Sequence, residues 1–445
     1  MNDVVHRQEI DGKARSLHAL ADELTQGHVA QDVRIRDVPG TRALRAMISE
    51  HGRLSLSRVV ERGPHVASVE CAPLDRLIGS DEILPVERAF RQVLGSGQFT
   101  TGPFVAAFEH EFAAFLGVRH VVGSSSGTDA LIGGLLALGA GPGTEVIIPP
   151  NSFPGTENAV HMTGATPVLA DVTDDYLLDP VSVAERITPR TRCVVPVHLY
   201  GRAADVRGIA AVCAPHGIAV FEDAAQGVGL DDVGRFSAGA AFSFNPYKNL
   251  GACGKAGAFV SDDADLAARV KQYLYHGFAP TGSGYRKYHK SGSFGLNARI
   301  DNLQAAALQA RMQFLALNNL RRAALARRYI DALAPLHRIG ILRVPEFSPD
   351  HVWHLFTVDV LAAHRDDLIR GLQIRGVQAD VYYPVLTHQQ DTALARAQFG
   401  TTAVPVAESL AGRTLQLPLF PRMTTVEQDV VIDAVFEAVG ARVTA

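Results

Sequence analysis

The chain has 445 residues, 47% of them hydrophobic and 20% charged, with a formal net charge of −4, the balance of a well-buried α/β protein. That charge offers no polycationic face to nucleic acid, no apolar run reaches the roughly 18 residues of a bilayer crossing, and no charged-then-apolar leader opens the chain, so a cytoplasmic address is expected. The four cysteines, Cys71, Cys193, Cys213 and Cys253, lack a Cys-x-x-Cys spacing, which points to reduced thiols and no metal site.

In chain order, the first 73 residues are rich in Arg, His and Asp with scattered apolar residues and read as an N-terminal extension. From Pro85 to Leu116 a helical pattern surrounds a turn at Gly95 to Pro103. Arg119 to Val122 reads as a short buried strand, and Asp129 onward carries Ala, Leu, Ile and Leu at helical spacing. Gly139, Gly141 and Gly143 follow that helix rather than a strand, so they read as a helix end and loop, not a dinucleotide fingerprint. Strand-like runs then alternate with helical stretches, at Glu145 to Pro149, Pro167 to Asp171, Arg192 to Leu199 and Ile218 to Glu222, with last strands at Ala241 to Phe244 and Ala256 to Ser261. That rhythm predicts a largely parallel sheet covered by helices on both faces. Residues 281 to 294 form a basic, glycine-rich loop with Arg286, Lys287, His289 and Lys290. A long amphipathic helix runs from Asn302 past Arg328, with Arg321, Arg322, Arg327 and Arg328 read as its wet face, and leads into a smaller α/β domain. His351 and His354 lie in a strand-like His-Val-Trp-His-Leu-Phe-Thr-Val and read as core or edge-strand residues rather than metal ligands.

Three segments carry chemistry. Ser126, Gly127 and Thr128 fall in the tight turn that opens a helix, where orphan backbone N–H groups and the positive end of the helix dipole favour a phosphate. Asp223 and Gln226 close a strand, and Lys248 follows Ser243 by five residues among apolar and hydroxyl neighbours. Taken singly, these are an N-cap, a turn carboxylate and a loop lysine. Together they match the needs of pyridoxal 5'-phosphate: a lysine for its aldehyde, a carboxylate for its ring nitrogen and donors for its phosphate. Ser124 to Thr128, Phe153, Asp223 and Ser243 all fall beyond the carboxyl ends of the predicted strands, where ligands of such sheets gather.

The order Ser-Gly-Thr-Asp-Ala-Leu, Val-His-Leu-Tyr-Gly, Glu-Asp-Ala-Ala-Gln, Phe-Ser-Phe-x-x-x-Lys-Asn-Leu-Gly and Gly-x-Asn-x-Arg resembles the DegT/DnrJ/EryC1/StrS sugar aminotransferases, from about residue 74 to the end. The resemblance implies fold type I, with a mostly parallel seven-stranded sheet in a large cofactor-binding domain over 74–315 and a small C-terminal α/β domain over 316–445. It implies Lys248 as the cofactor-bearing lysine and proton shuttle, with Asp223 at the ring nitrogen and Gln226 at the ring hydroxyl. Gly127, Thr128 and Ser243 would hold the phosphate, and Phe153 would stack on the ring. Asn297 would reach the phosphate of the neighbouring subunit's cofactor, making a homodimer with shared sites, on whose surface the extension would lie.

The segments around Lys248, Trp353 and Tyr383 resemble the kanosamine-pathway branch, which aminates 3-oxo-glucose 6-phosphate with L-glutamate. Arg299, Tyr382 and Tyr383, with His388 as a weaker match, would border the sugar. Lys255 departs from an acidic residue common in relatives; it either greets a sugar phosphate or pairs on the surface. Two other readings are a nucleotide-linked keto sugar or keto cyclitol as acceptor, and a non-catalytic cofactor-binding regulatory protein. Lysine, rather than the histidine of relatives that eliminate a hydroxyl, argues for amino transfer.

Overall fold

The structure, a computed structural model, describes residues 60–278, 288–290, 294–400 and 402–443. Most of the N-terminal extension, together with Arg286 and Lys287, lies outside the described residues. The first half of the large domain runs α1 (Ser80–Ser96), α2 (Pro103–Leu116), β1 (His120–Ser124), α3 (Gly127–Ala137), β2 (Glu145–Ile148), α4 (Pro154–Thr163) and β3 (Thr166–Leu169). Then follow α5 (Pro180–Arg186), β4 (Thr191–Val194), α6 (Val206–Cys213), β5 (Ala219–Asp223), β6 (Gly239–Ser243), β7 (Gly257–Ser261) and α7 (Ala264–Tyr273). The seven strands form one sheet in the order β1-β7-β6-β5-β4-β2-β3. From β6 to β3 all pairs are parallel, and β7 alone runs against its neighbours. Such strands bury both faces, and β2 and β7 are buried at every position.

This topology brings the carboxyl ends of β1, β5 and β6 to one edge of the sheet. At that edge Gly257 sits between Ser124 and Ser243 in register. An aromatic cluster fixes the end of β6: Phe112 meets Phe242 and Phe244 edge-on at 5.1 and 5.2 Å, and Phe108 meets Phe244 at 5.4 Å. Edge-to-face pairs of this kind add to the area they bury.

The chain continues through α8 (Asn302–Arg338), β8 (Leu342–Arg343), β9 (Phe356–Val360), α9 (Arg365–Ile374), α10 (Ala393–Phe399), α11 (Pro405–Ala411), β10 (Thr414–Leu417) and α12 (Thr425–Val443). The second sheet is antiparallel, ordered β10-β9-β8. The 37-residue α8 crosses the expected domain boundary at 315 without a break, packing on α1 and α2 first and on α12 and β8 later. Leu386, Phe399, Val404 and Leu410, although C-terminal in sequence, join the core under the large sheet with Val160 and Leu169.

Two local expectations are corrected. Arg322 is not on a wet face: it is 2% exposed and donates to the carbonyls of Trp353, His354 and Leu419 at 3.0–3.3 Å. A periodic pattern cannot distinguish solvent from a wall of backbone acceptors. The strand expected from His351 begins only at Phe356, because Trp353 takes a left-handed φ of 52° that no extended strand tolerates.

Glu82 of α1, 1% exposed, receives Arg311 Nε at 2.7 Å and Asn318 Nδ2 at 3.0 Å from α8. Arg311 also donates to the carbonyls of Gly251, just after Lys248, and of Leu77. Removing one partner strands the other charge in the interior, so Glu82→Ala is expected to destabilise the protein by about 3–5 kcal/mol in urea unfolding.

Candidate active site

At the β1–α3 turn Ser126 caps the helix, its Oγ accepting from Asp129 N at 3.0 Å. The hydroxyls of Ser125 and Ser126 both donate to Asp129 Oδ2, at 2.5 and 2.6 Å. With the turn closed on itself, the N–H groups of Gly127 and Thr128 remain as first-turn donors with no partner inside the helix. A Cβ at 127 would stand 2.8 Å from Ser243 Cβ, and one at 257 would stand 2.4 Å from the Ser126 carbonyl oxygen. Only glycine at both positions lets Ser243 close against the head of α3. Thr128 Oγ1 would lie 2.9 Å from a Cβ at 155, so the heads of α3 and α4 meet around the same space.

Asp223 ends β5, pinned by its N–H to the Pro196 carbonyl at 2.8 Å and by His198 N–H to its own carbonyl at 3.0 Å. Its Oδ2 accepts from Thr156 Oγ1 at 2.7 Å and its Oδ1 from Ala225 N at 3.0 Å. Burial pushes its carboxyl above the usual range, opposed by those two bonds and by the charge of Lys248. Burial likewise lowers Lys248 from 10.5 to about 8, with Asp223 acting in the opposite sense. An amine in that range spends an appreciable fraction of its time neutral and nucleophilic near physiological pH.

Gln226 Oε1 accepts from the backbone N–H of Tyr200 at 2.6 Å, and its Nε2 donates to Tyr383 Oη at 3.1 Å. Phe153, at the head of α4, is 56% exposed, and its ring lies 5.6 Å from that of Tyr383. Expected residues from five separate stretches of chain are thus brought together in three groups: the Gly127–Thr128–Ser243 cradle, the Asp223–Lys248 pair, and Phe153 beside Gln226 and Tyr383. A cradle that a single Cβ would fill, a buried carboxylate and an amine of depressed basicity fit pyridoxal 5'-phosphate.

The remaining expected residues make other contacts. Asn297 is exposed and bridges Tyr275, while Arg299 pairs with Ser124 at the end of β1 and holds its guanidinium 3.5 Å over the Tyr275 ring. Lys255 is exposed, two residues ahead of Gly257. Tyr382 accepts at its carbonyl from Tyr200 Oη. His388 meets Glu408 at 3.0 Å. His289 is exposed, and Lys290 bridges Phe278. Sequence reasoning missed Thr156 and Tyr200. Thr156 had one available signal, its place three residues after Phe153 in a helix head.

The model of the DegT/DnrJ/EryC1/StrS aminotransferase family matches residues 84–436. The chain is 42% identical over 381 residues to the 3-oxo-glucose-6-phosphate:glutamate aminotransferase of Bacillus subtilis (strain 168), covering 85% of this chain and 86% of that one. It is 41% identical over 357 residues to the dTDP-3-amino-3,4,6-trideoxy-alpha-D-glucose transaminase of Streptomyces venezuelae, covering 79% and 91%. The crystal structure of ntda from Bacillus subtilis with bound cofactor PMP superposes with a TM-score of 0.85 at 38% identity, covering 96% of this chain and 98% of that one.

Because the neutral fraction of Lys248 grows with pH, labelling of the cofactor-free protein by an aldehyde reagent should be half-maximal near pH 8. Asp223→Asn removes the charge that favours the ammonium form, so the midpoint should move down by about one unit.

Proposed function

Since the chain belongs to the DegT/DnrJ/EryC1/StrS aminotransferase family and is a pyridoxal 5'-phosphate-dependent sugar aminotransferase, we propose that it moves the amino group of L-glutamate onto 3-oxo-glucose 6-phosphate to give kanosamine 6-phosphate. The observation that carries this choice of sugar is the 42% identity, over 85% of the chain, to a relative whose name states that reaction. The match to the Bacillus structure also extends past the 84–436 family region, to 96% of the chain.

Bound pyridoxal 5'-phosphate supplies an electron sink for the charge left when a proton departs the carbon bearing nitrogen. The chain supplies the rest. Lys248 would hold the cofactor's aldehyde and, once displaced by glutamate, would take that proton from the α-carbon and return it at the cofactor's C4' carbon, the ordinary work of a base with a basicity near the working pH. Asp223, held by Thr156 and Ala225, keeps the ring nitrogen protonated. Gln226 faces the ring hydroxyl. Gly127, Thr128 and Ser243 fix the phosphate, and Phe153 covers the ring. Asn297, exposed in one protomer, reaches the neighbouring subunit's cofactor phosphate across a homodimer. 2-Oxoglutarate leaves before the sugar binds, so the kinetics are ping-pong. Arg299, Tyr382 and Tyr383 border the sugar, and Lys255 meets its phosphate.

Lys248→Ala should leave the protein without the visible absorption of lysine-bound cofactor and slow amino transfer by at least about a thousandfold. For the sugar, kcat/KM with 3-oxo-glucose 6-phosphate should exceed that with a dTDP-linked 3-keto sugar by at least about tenfold, and Lys255→Ala should shrink that ratio. A ratio in favour of the nucleotide-linked sugar would overturn the choice of acceptor while leaving the aminotransferase standing.

A further inference from the structure

Immediately after Lys248 the chain places a fully buried carboxamide. Asn249 is 5% exposed, and its Nδ2 donates to Asn319 Oδ1 at 2.8 Å and to the Val352 carbonyl at 3.0 Å. A carbonyl can only accept, so the Val352 contact fixes which end of the carboxamide is nitrogen. Asn319 is fixed in the same way by its own donation to the Val228 carbonyl at 3.1 Å. Both N–H groups of Asn249 are therefore spent, and its Oδ1 is left facing His354 Nδ1 at 3.1 Å. That oxygen must accept, so the imidazole carries its proton on Nδ1.

We infer that His354 is a positioning residue for Lys248, acting through the hydrogen bond it donates to Asn249, an inference that rests on the role proposed for Lys248 above. The peptide bearing Lys248 is gripped at several points. Its own N–H meets the Asn245 carbonyl at 2.8 Å, Arg311 holds the Gly251 carbonyl, and the Asn249 side chain reaches α8 and the 352–354 segment together. His354 completes the third grip. Its carbonyl is itself held by Arg322 at 3.0 Å, so the imidazole is a fixed post. The charged and titratable groups facing it are Lys248 from the loop after β6, Arg322 from α8 and His351 on its own segment. Burial, first, and these neighbours hold its basicity well below the usual histidine range. It therefore stays a neutral, single-proton donor across the working pH range and adds no repulsion to the lysine.

The test compares side chains that keep or lose the donor. The cofactor-free proteins are labelled with an aldehyde reagent across pH, and the reconstituted proteins are checked for the visible absorption of lysine-bound cofactor. His354→Gln retains an N–H for Asn249 and should keep the Lys248 midpoint within about 0.3 unit of wild type. His354→Ala and Asn249→Ala should let the lysine loosen into solvent and raise that midpoint by about one unit towards the ordinary value. His354→Leu, which fills the space without donating, decides the matter should His354→Ala not fold. A merely structural role would lower the unfolding temperature without moving the midpoint. An unchanged midpoint in His354→Leu and Asn249→Ala, or a His354→Gln protein that behaves like them, would overturn the inference. Failure of the wild type to take up the cofactor would instead overturn the proposed role of Lys248.

Discussion

A carboxylate and an amine withdrawn from water into one cleft impose the constraint around which the large domain is arranged. Burial drives Asp223 and Lys248 towards their neutral forms, and each charge opposes that drive in the other. Such a balance survives only if the groups stay in place, since a charge that drifts back to solvent loses its altered basicity. Thr156 and Ala225 hold the carboxylate, and β5 is pinned behind it by Pro196 and His198. The phenylalanine cluster and the Glu82–Arg311 pair do the equivalent for the strand and loop that carry the lysine.

Much of this was legible because the decisive residues sit in short, ordered words of sequence. Ser126-Gly127-Thr128 and Asp223-x-x-Gln226 each occupy a strand end, and Lys248 follows the end of β6; a strand end is a position that alternation of elements predicts. The largely parallel sheet follows from the same rhythm and its seven strands from the family resemblance, and both are found. What was not legible depends on where distant segments meet. Thr156 became a partner of Asp223 only because β5 and the head of α4 share an edge. Arg322 looked solvated because arginine in a helix usually is, and nothing in its neighbours announces that Trp353, His354 and Leu419 turn their carbonyls towards it. The left-handed Trp353 is likewise invisible in a run of residues that otherwise alternates like a strand.

The division into lobes is also a matter of three dimensions rather than of chain order. Leu386 to Leu410 lie late in the sequence yet pack beneath the large sheet, while the first half of α8 belongs to the large domain and the second half to the small one. The two are stitched together at the cleft, where Tyr382 and Tyr383, carried on the segment between β9 and β10, are tied to Tyr200 and Gln226 of the large domain.

That arrangement makes α8 a single rod, roughly 55 Å long at 1.5 Å per residue, fastened at both ends to different cores. Phase along a rod is unforgiving. One residue added near Ala316 would turn everything beyond it by about 100°, swinging Asn319 and Arg322 away from the backbone oxygens they serve and twisting one lobe against the other. Length in this helix is consequently as much a determinant of the catalytic geometry as the identity of any side chain it carries.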